Sequence, residues 1–331
     1  NTINWDLDPI YNKSFESNKD FETHQNKFFE NTEIKYSWEL SRLHQIFVTS
    51  ILYFQTGKQD FLNFYRTQIE DFIDNNKPGR SIAWNNAMEC SIRSINLISS
   101  FEFINLNLHD NTLQNKIINF LKENLKFIIN NLEYSYKINS NHYLFNIFGL
   151  IYLSNFFNGE EILNISSKEF FNEINTQFYN DGGNFENSFN YHRFNLEGII
   201  HCLYILKLRQ IKIPNNIQKK IKLSIDFLFT ITKSDGNFPN IGDTDNGRLL
   251  IYEDYFKYFE KNNTFQLLNI FSNYFFEEKF YFTKPIKSKN LDYRIFKNEN
   301  FINNITEKKT EKFFKETGVY LYKERDNFFC V

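Results

Sequence analysis

The run Trp84-Asn85-Asn86-Ala87-Met88-Glu89-Cys90-Ser91-Ile92-Arg93-Ser94-Ile95-Asn96-Leu97-Ile98-Ser99-Ser100-Phe101 decides the fold. Ile92, Ile95, Leu97, Ile98 and Phe101 recur mostly at threes and fours, which makes one apolar face of a helix. Outward from this run, Trp38, Leu43, Ile46, Phe47, Ile51 and Phe54 show the same spacing, and the helical period holds from Tyr36 to Phe229. It predicts further helices over 60–75, 112–131, 142–157, 166–179, 188–208 and 216–232. Short breakers separate several of them: Asn75-Asn76-Lys77-Pro78-Gly79, His109-Asp110-Asn111, Asn158-Gly159 and Ile213-Pro214-Asn215-Asn216. Connections this short favour antiparallel helical hairpins.

Trp38-Glu39-Leu40-Ser41-Arg42 opens one helix, and Trp84, Met88, Glu89 and Arg93 echo it about 46 residues later. Glu89 and Arg93 then lie one turn apart on a common face. An array in which each helix pair buries its face on the next gives such an echo. The competing explanation is a chance likeness between two amphipathic helices. The expected fold is mainly α, an incomplete (α/α) toroid of antiparallel helix pairs followed by the first strands of a truncated β-sandwich.

Beyond Ser234 the texture changes. Residues 234–248 are dense in Gly, Pro, Asn and Asp and read as a loop. Two shorter helices are expected at 251–260 and 263–276. From Asp292 the spacing turns toward period two, and 319–322 and 327–331 read as strands around a turn. The expected division is a helical domain with its linker over 1–284 and the start of a β-sandwich domain over 285–331. The last residues fall inside a strand, so the chain reads as an excerpt of a longer protein.

Composition excludes several classes. In 331 residues, 41% are apolar and 24% charged, which is unlike a disordered chain. A formal net charge of −2 gives no basic excess for neutralising nucleic-acid phosphates. No apolar run approaches the ~20 residues of a membrane span. Cys90, Cys202 and Cys330 are far apart and lack any CxxC spacing, so free core thiols are expected rather than a zinc site or a disulfide framework.

Polar side chains concentrate in three places: 139–144 at a helix entrance, 181–193 running from a turn into a helix, and the loop from Gly242 to Arg248. Helix N-termini suit anionic ligands. These residues, with the two echoing helix starts, resemble a family. In order they read Trp-Glu-Leu-x-Arg, Trp-x3-Met-Glu-x3-Arg, Asn-His-Tyr-Leu-x-Asn-x-x-Gly-Leu, Asp-Gly-Gly-x-Phe-Glu-x-Ser-x-x-Tyr-His-Arg and Gly-Asp-x-Asp-x-Gly-Arg. That order is similar to the heparinase II/III and alginate-lyase-like polysaccharide lyases, over roughly 36–250. Thr317-Gly318-Val319-Tyr320 resembles the start of their β-sandwich.

The resemblance implies β-elimination on a uronate-containing polysaccharide. The substrate carboxylate must be neutralised, a base must take the C5 proton, and an acid must protonate the departing O4. Carried over residue by residue, the catalytic set is Asn141, His142 and Tyr191. An Asn141 amide can donate to a carboxylate. His142 can neutralise that carboxylate as an imidazolium or act as base when neutral. Tyr191 is an acid at pH 7, and as a base it would need nearby positive charge, for which His192, Arg193 and Arg248 are candidates. Substrate-binding candidates are Trp84, Asn139, Glu186, His192, Arg193, Asp243 and Arg248.

Each has a plainer alternative. Asn141 fits a helix N-cap, His142 an ordinary surface histidine, Tyr191 one of 19 tyrosines, and Glu186 an early-helix acid favoured by the dipole. Asp243 and Asp245 fit a turn with Gly242 and Gly247, and Trp38 and Trp84 fit the core or a sugar-stacking role. Two rival functions stand beside the lyase. One is a toroid glycoside hydrolase pairing Glu186 with Asp243 or Asp245; the other is a carbohydrate-binding or degenerate lyase-like protein. No cofactor is expected in this stretch, although a divalent metal in the family's later β-sandwich is compatible with the resemblance. The expected partner is an acidic polysaccharide, with no nucleic acid. The expected location is the bacterial periplasm or cell surface, and the sequence sets no oligomeric state.

Overall fold

The computed structural model describes residues 3–15, 31–104, 111–233, 236–251, 264–271, 309–324 and 327–331. The chain forms two compact units, one of residues 1–167 with 249–251 and one of 168–248 with 252–331.

The first unit begins with a two-stranded antiparallel ribbon, β1 (Leu7–Asp8) and β2 (Lys13–Ser14). Helices follow: α1 (Lys35–Ser41), α2 (His44–Thr56), α3 (Gln59–Asn75), a 3-10 turn (Ile82–Trp84), α4 (Ala87–Ile104), α5 (Asn111–Asn130), α6 (Asn141–Phe157) and the first part of α7 (Glu160–Gln177). α3 buries Leu62, Tyr65, Ile69 and Phe72 at the three-and-four spacing of a single inward face. α6 is apolar almost all round, and from Asn141 to Ser154 only His142 is not buried. It therefore runs through the core, packed on α4, which also packs on α2 and α5. The α4–α6 contact is close. A Cβ added to Gly149 would lie 2.5 Å from Ser91 Oγ and 2.9 Å from Ser91 Cα, so only hydrogen fits there.

Two buried arginines tie this unit together. Arg42, just after α1, is bidentate to Glu89 on α4, with Nε–Oε2 at 2.6 Å and Nη2–Oε1 at 2.8 Å. This pair links the two echoing motifs. Arg93 instead donates to Asn124 Oδ1 (3.1 Å), Ala83 O (2.8 Å) and Cys90 Sγ (3.0 Å). Its guanidinium lies over the rings of Trp84, Phe72 and Phe120 at 4.8–5.6 Å.

The second unit holds the rest of α7, then α8 (Phe189–Leu208), α9 (Asn215–Ile231), α10 (Thr264–Phe271) and an antiparallel sheet of β3 (Thr310–Phe314), β4 (Val319–Glu324) and β5 (Asn327–Cys330) in that order. The Asp181-Gly182-Gly183 turn clasps the sheet. The Asp181 carboxylate accepts from Thr317 Oγ1 (2.7 Å), Thr317 N (2.8 Å), Glu316 N (2.7 Å) and its own turn's Gly183 N (3.2 Å). Burial alone would raise the Asp181 carboxyl, but these donors hold it below the usual carboxylate range. Gly182, at φ +96°, leaves its Cβ position 2.1 Å from Leu223 O, and a Cβ on Gly183 would strike Thr317 Oγ1 at 2.0 Å. Phe227 on α9 meets Phe314 on β3 with ring centroids 4.6 Å apart.

Helix bounds expected from the period hold within a residue or two at most ends. α7 starts six residues early, at Glu160, where Glu160 and Glu161 occupy its first turn and complement the dipole. The expected helix at 251–260 and the domain boundary near 285 lie outside the described residues, apart from Ile251, which is in no helix. Cys90 and Cys202 are buried free thiols, and Cys330 is free and half-buried.

Candidate active site

In the first unit the candidates gather at the start of α6. Ser140, in extended backbone, caps the helix by accepting from His142 N. Asn141 is thus the first helical residue and not the cap, because the Ser140 hydroxyl already occupies that place. Asn141 is 4% exposed, whereas the His142 side chain is 41% exposed. His142 Nδ1 lies 2.7 Å from Glu133 Oε1. The other Glu133 oxygen accepts from Met88 N (2.8 Å), in the first turn of α4, and from Asn146 Nδ2 (3.0 Å) on α6. Asn146 Oδ1 in turn accepts from Glu133 N at 2.8 Å. Asn139 closes the preceding turn, its Oδ1 accepting from Ser135 N. Tyr134 and Tyr136 in that turn are 52% and 97% exposed.

Trp84 is fully buried, its indole N–H donating to Asn76 O and its ring under Arg93. The sugar-stacking role considered for it is therefore corrected to core packing.

In the second unit the candidates gather at the start of α8. Ser188 is the N-cap: its hydroxyl accepts from Tyr191 N (3.1 Å) and donates to Asp243 O (2.6 Å). This pins the 242–248 loop on the helix end. Gly242, at φ +74°, sits against Asn187 O where a Cβ would approach to 2.5 Å. The Tyr191 hydroxyl donates to Asp243 Oδ2 at 2.8 Å and also lies 3.2 Å from Asp245 Oδ2. Partial burial, the bond to Asp243 and the two negative charges together push the phenol far above its ordinary value.

The cations expected to serve Tyr191 as a base are committed elsewhere. His192 is 1% exposed, packs on Phe178 and Phe227, and bonds Ser224 O through Nε2 at 2.9 Å. Burial pulls its imidazole down to about 4, so it is neutral at pH 7. It is a core residue and neither contacts substrate nor supplies charge. Arg193 is fully buried, donating to Glu197 on the next turn and to Gly247 O, so it fastens the loop rather than facing a ligand. Arg248 Nη1 meets the same Glu197 oxygen at 2.8 Å. Glu186 lies in the turn before the Ser188 cap, with its N–H on Asn184 Oδ1, so it is not an early-helix acid.

Trp84, Asn139, Asn141 and His142 thus belong to the first unit, and Glu186, Tyr191, His192, Arg193, Asp243 and Arg248 to the second. Sequence reasoning missed Glu133 and Glu197. Both sit among ordinary surface-like acids, and only the folded chain brings them to His142 and to the two arginines. Among the described residues no three His, Cys, Asp or Glu side chains gather to hold a metal ion, and no helix is long and apolar enough to cross a membrane.

The fold has known counterparts. A crystal structure of heparinase III superposes with a TM-score of 0.63 at 15% identity, covering 91% of this chain and 45% of that one. The heparan sulfate lyase HepC from Pedobacter heparinus gives 0.55 at 17% identity, covering 96% and 47%. This chain spans less than half the length of either. No curated protein matches it. The class is therefore the mainly helical fold that these structures share. The model of the heparinase II/III N-terminus matches residues 1–267, and the chain belongs to that family.

Proposed function

We propose that the protein cleaves a uronate-containing polysaccharide by β-elimination. Asn141 donates its amide to the substrate carboxylate and so makes the C5 proton more acidic. Neutral His142 takes that proton. The C5–H electron pair forms the C4=C5 double bond, the C4–O4 bond breaks, and the Tyr191 hydroxyl delivers its proton to the departing O4. The observation that carries this reading is the pair of carboxylates on the Tyr191 hydroxyl. A phenol so placed stays protonated well above pH 7, which suits an acid and disfavours a base. The same contacts engage Asp243 and Asp245 with a phenol, which leaves the hydrolase pairing with Glu186 without support. A polymer substrate of this kind places the enzyme in the periplasm or at the cell surface.

The test is Tyr191→Phe in the full-length protein, read by the ultraviolet absorbance of the unsaturated product. Turnover is expected to fall by at least about 10²-fold with oligosaccharide affinity nearly unchanged. Equal turnover removes Tyr191 as the acid. Binding without turnover in the wild type would favour the carbohydrate-binding alternative.

A further inference from the structure

We propose that Glu133 is a positioning residue for His142, holding the neutral imidazole with its proton on Nδ1 and its lone pair on Nε2. This rests on the reading of His142 as base, yet it is decided by geometry independent of any substrate. Glu133 is itself locked. Its N–H fixes Asn146 Oδ1, which leaves Asn146 Nδ2 facing Glu133 Oε2. Met88 N–H points at the same oxygen, so the acid also sits at the N-terminal end of α4. With both donors on Oε2, the remaining oxygen meets Nδ1 at 2.7 Å. An ionised carboxylate only accepts, so Nδ1 must donate. A base whose orientation is fixed by a third group is the general logic of an activated proton acceptor.

The same geometry supplies a discriminating variant. In Glu133→Gln the amide oxygen must stay where Oε2 is, because Met88 N–H and Asn146 Nδ2 both require an acceptor there. The amide NH2 then faces Nδ1 and donates to it, which moves the imidazole proton to Nε2. The cap on α4 survives while the tautomer inverts.

The measurement is the ¹⁵N spectrum of the histidine-labelled full chain near pH 9, with the His142 signals assigned by their loss in His142→Gln. The wild type is expected to show the Nδ1–H tautomer and Glu133→Gln the Nε2–H tautomer. An Nε2–H tautomer in the wild type, or the same tautomer in both, overturns the proposal. The wild-type spectrum alone decides if the variant fails to fold. In a turnover assay Glu133→Gln is expected to lower kcat by 10-fold or more with KM little changed. An inverted tautomer with unchanged kcat would uphold Glu133 as the positioning group and instead reject His142 as the base.

Discussion

Arg42 and Arg93 are both withdrawn from water but are stabilised by different means. Arg42 has a bidentate carboxylate, and burial, which alone would ease deprotonation, is outweighed by Glu89 and Glu39. Arg93 has aromatic faces and neutral acceptors. Removing one partner of a buried pair strands the other charge, so Arg42→Ala is expected to cost about 3–5 kcal/mol by urea denaturation. Replacing both Arg42 and Glu89 by Leu and Met should recover most of that loss. At Tyr191 the expected effect is on pH. Asp243→Asn takes away the directly bonded charge and lets the phenol titrate lower. The alkaline limb of the kcat profile should then move to lower pH, and an unmoved limb would show that another group sets it. The motif residues Glu89, Arg42, Tyr191 and Asp243 were visible in the sequence, but which of them pair was not. A helical period assigns neighbours three and four residues apart, whereas Glu89 meets a residue 47 positions away and Tyr191 one 52 away.

At the scale of elements, α4 and α6 approach each other at Gly149 and Ser91. Gly149→Ala would ordinarily favour a helix. Here the added methyl overlaps Ser91 Cα as well as its hydroxyl, and backbone cannot rotate away. The substitution is expected to destabilise by about 1–3 kcal/mol, measured by thermal unfolding, and Ser91→Gly should not relieve it fully. Most helix limits were legible because one apolar stripe starts and stops with its turn residues, as in α3 with Leu62, Tyr65, Ile69 and Phe72. α6 was legible as a helix but not in orientation. Being apolar on all sides, it carries no stripe to tell which face meets α4, and so its polar entrance could not be linked to Glu133.

For the whole molecule, His192 makes stability depend on pH. Its imidazole is held near 4 in the fold against an ordinary 6.5, so the unfolded chain binds the extra proton between those values. The contribution is complete above pH 6.5 and is lost progressively as pH falls to about 4, with a ceiling of about 3 kcal/mol. Denaturant midpoints across that window should fall for the wild type and fall less for His192→Gln, which keeps a donor for Ser224 O but cannot titrate. The family resemblance foresaw the Asp-Gly-Gly motif without its duty. Asp181 reaches Glu316 and Thr317, 135 and 136 positions onward, too far for any local pattern to register. That long reach has a practical side. A version trimmed between α10 and β3 would keep the described helices of the second unit, yet it would leave an acid in an emptied socket and a bare Phe227 ring on its surface. Helices and hairpin here are one purchase of order, and a shortened protein would pay for their separation in aggregation.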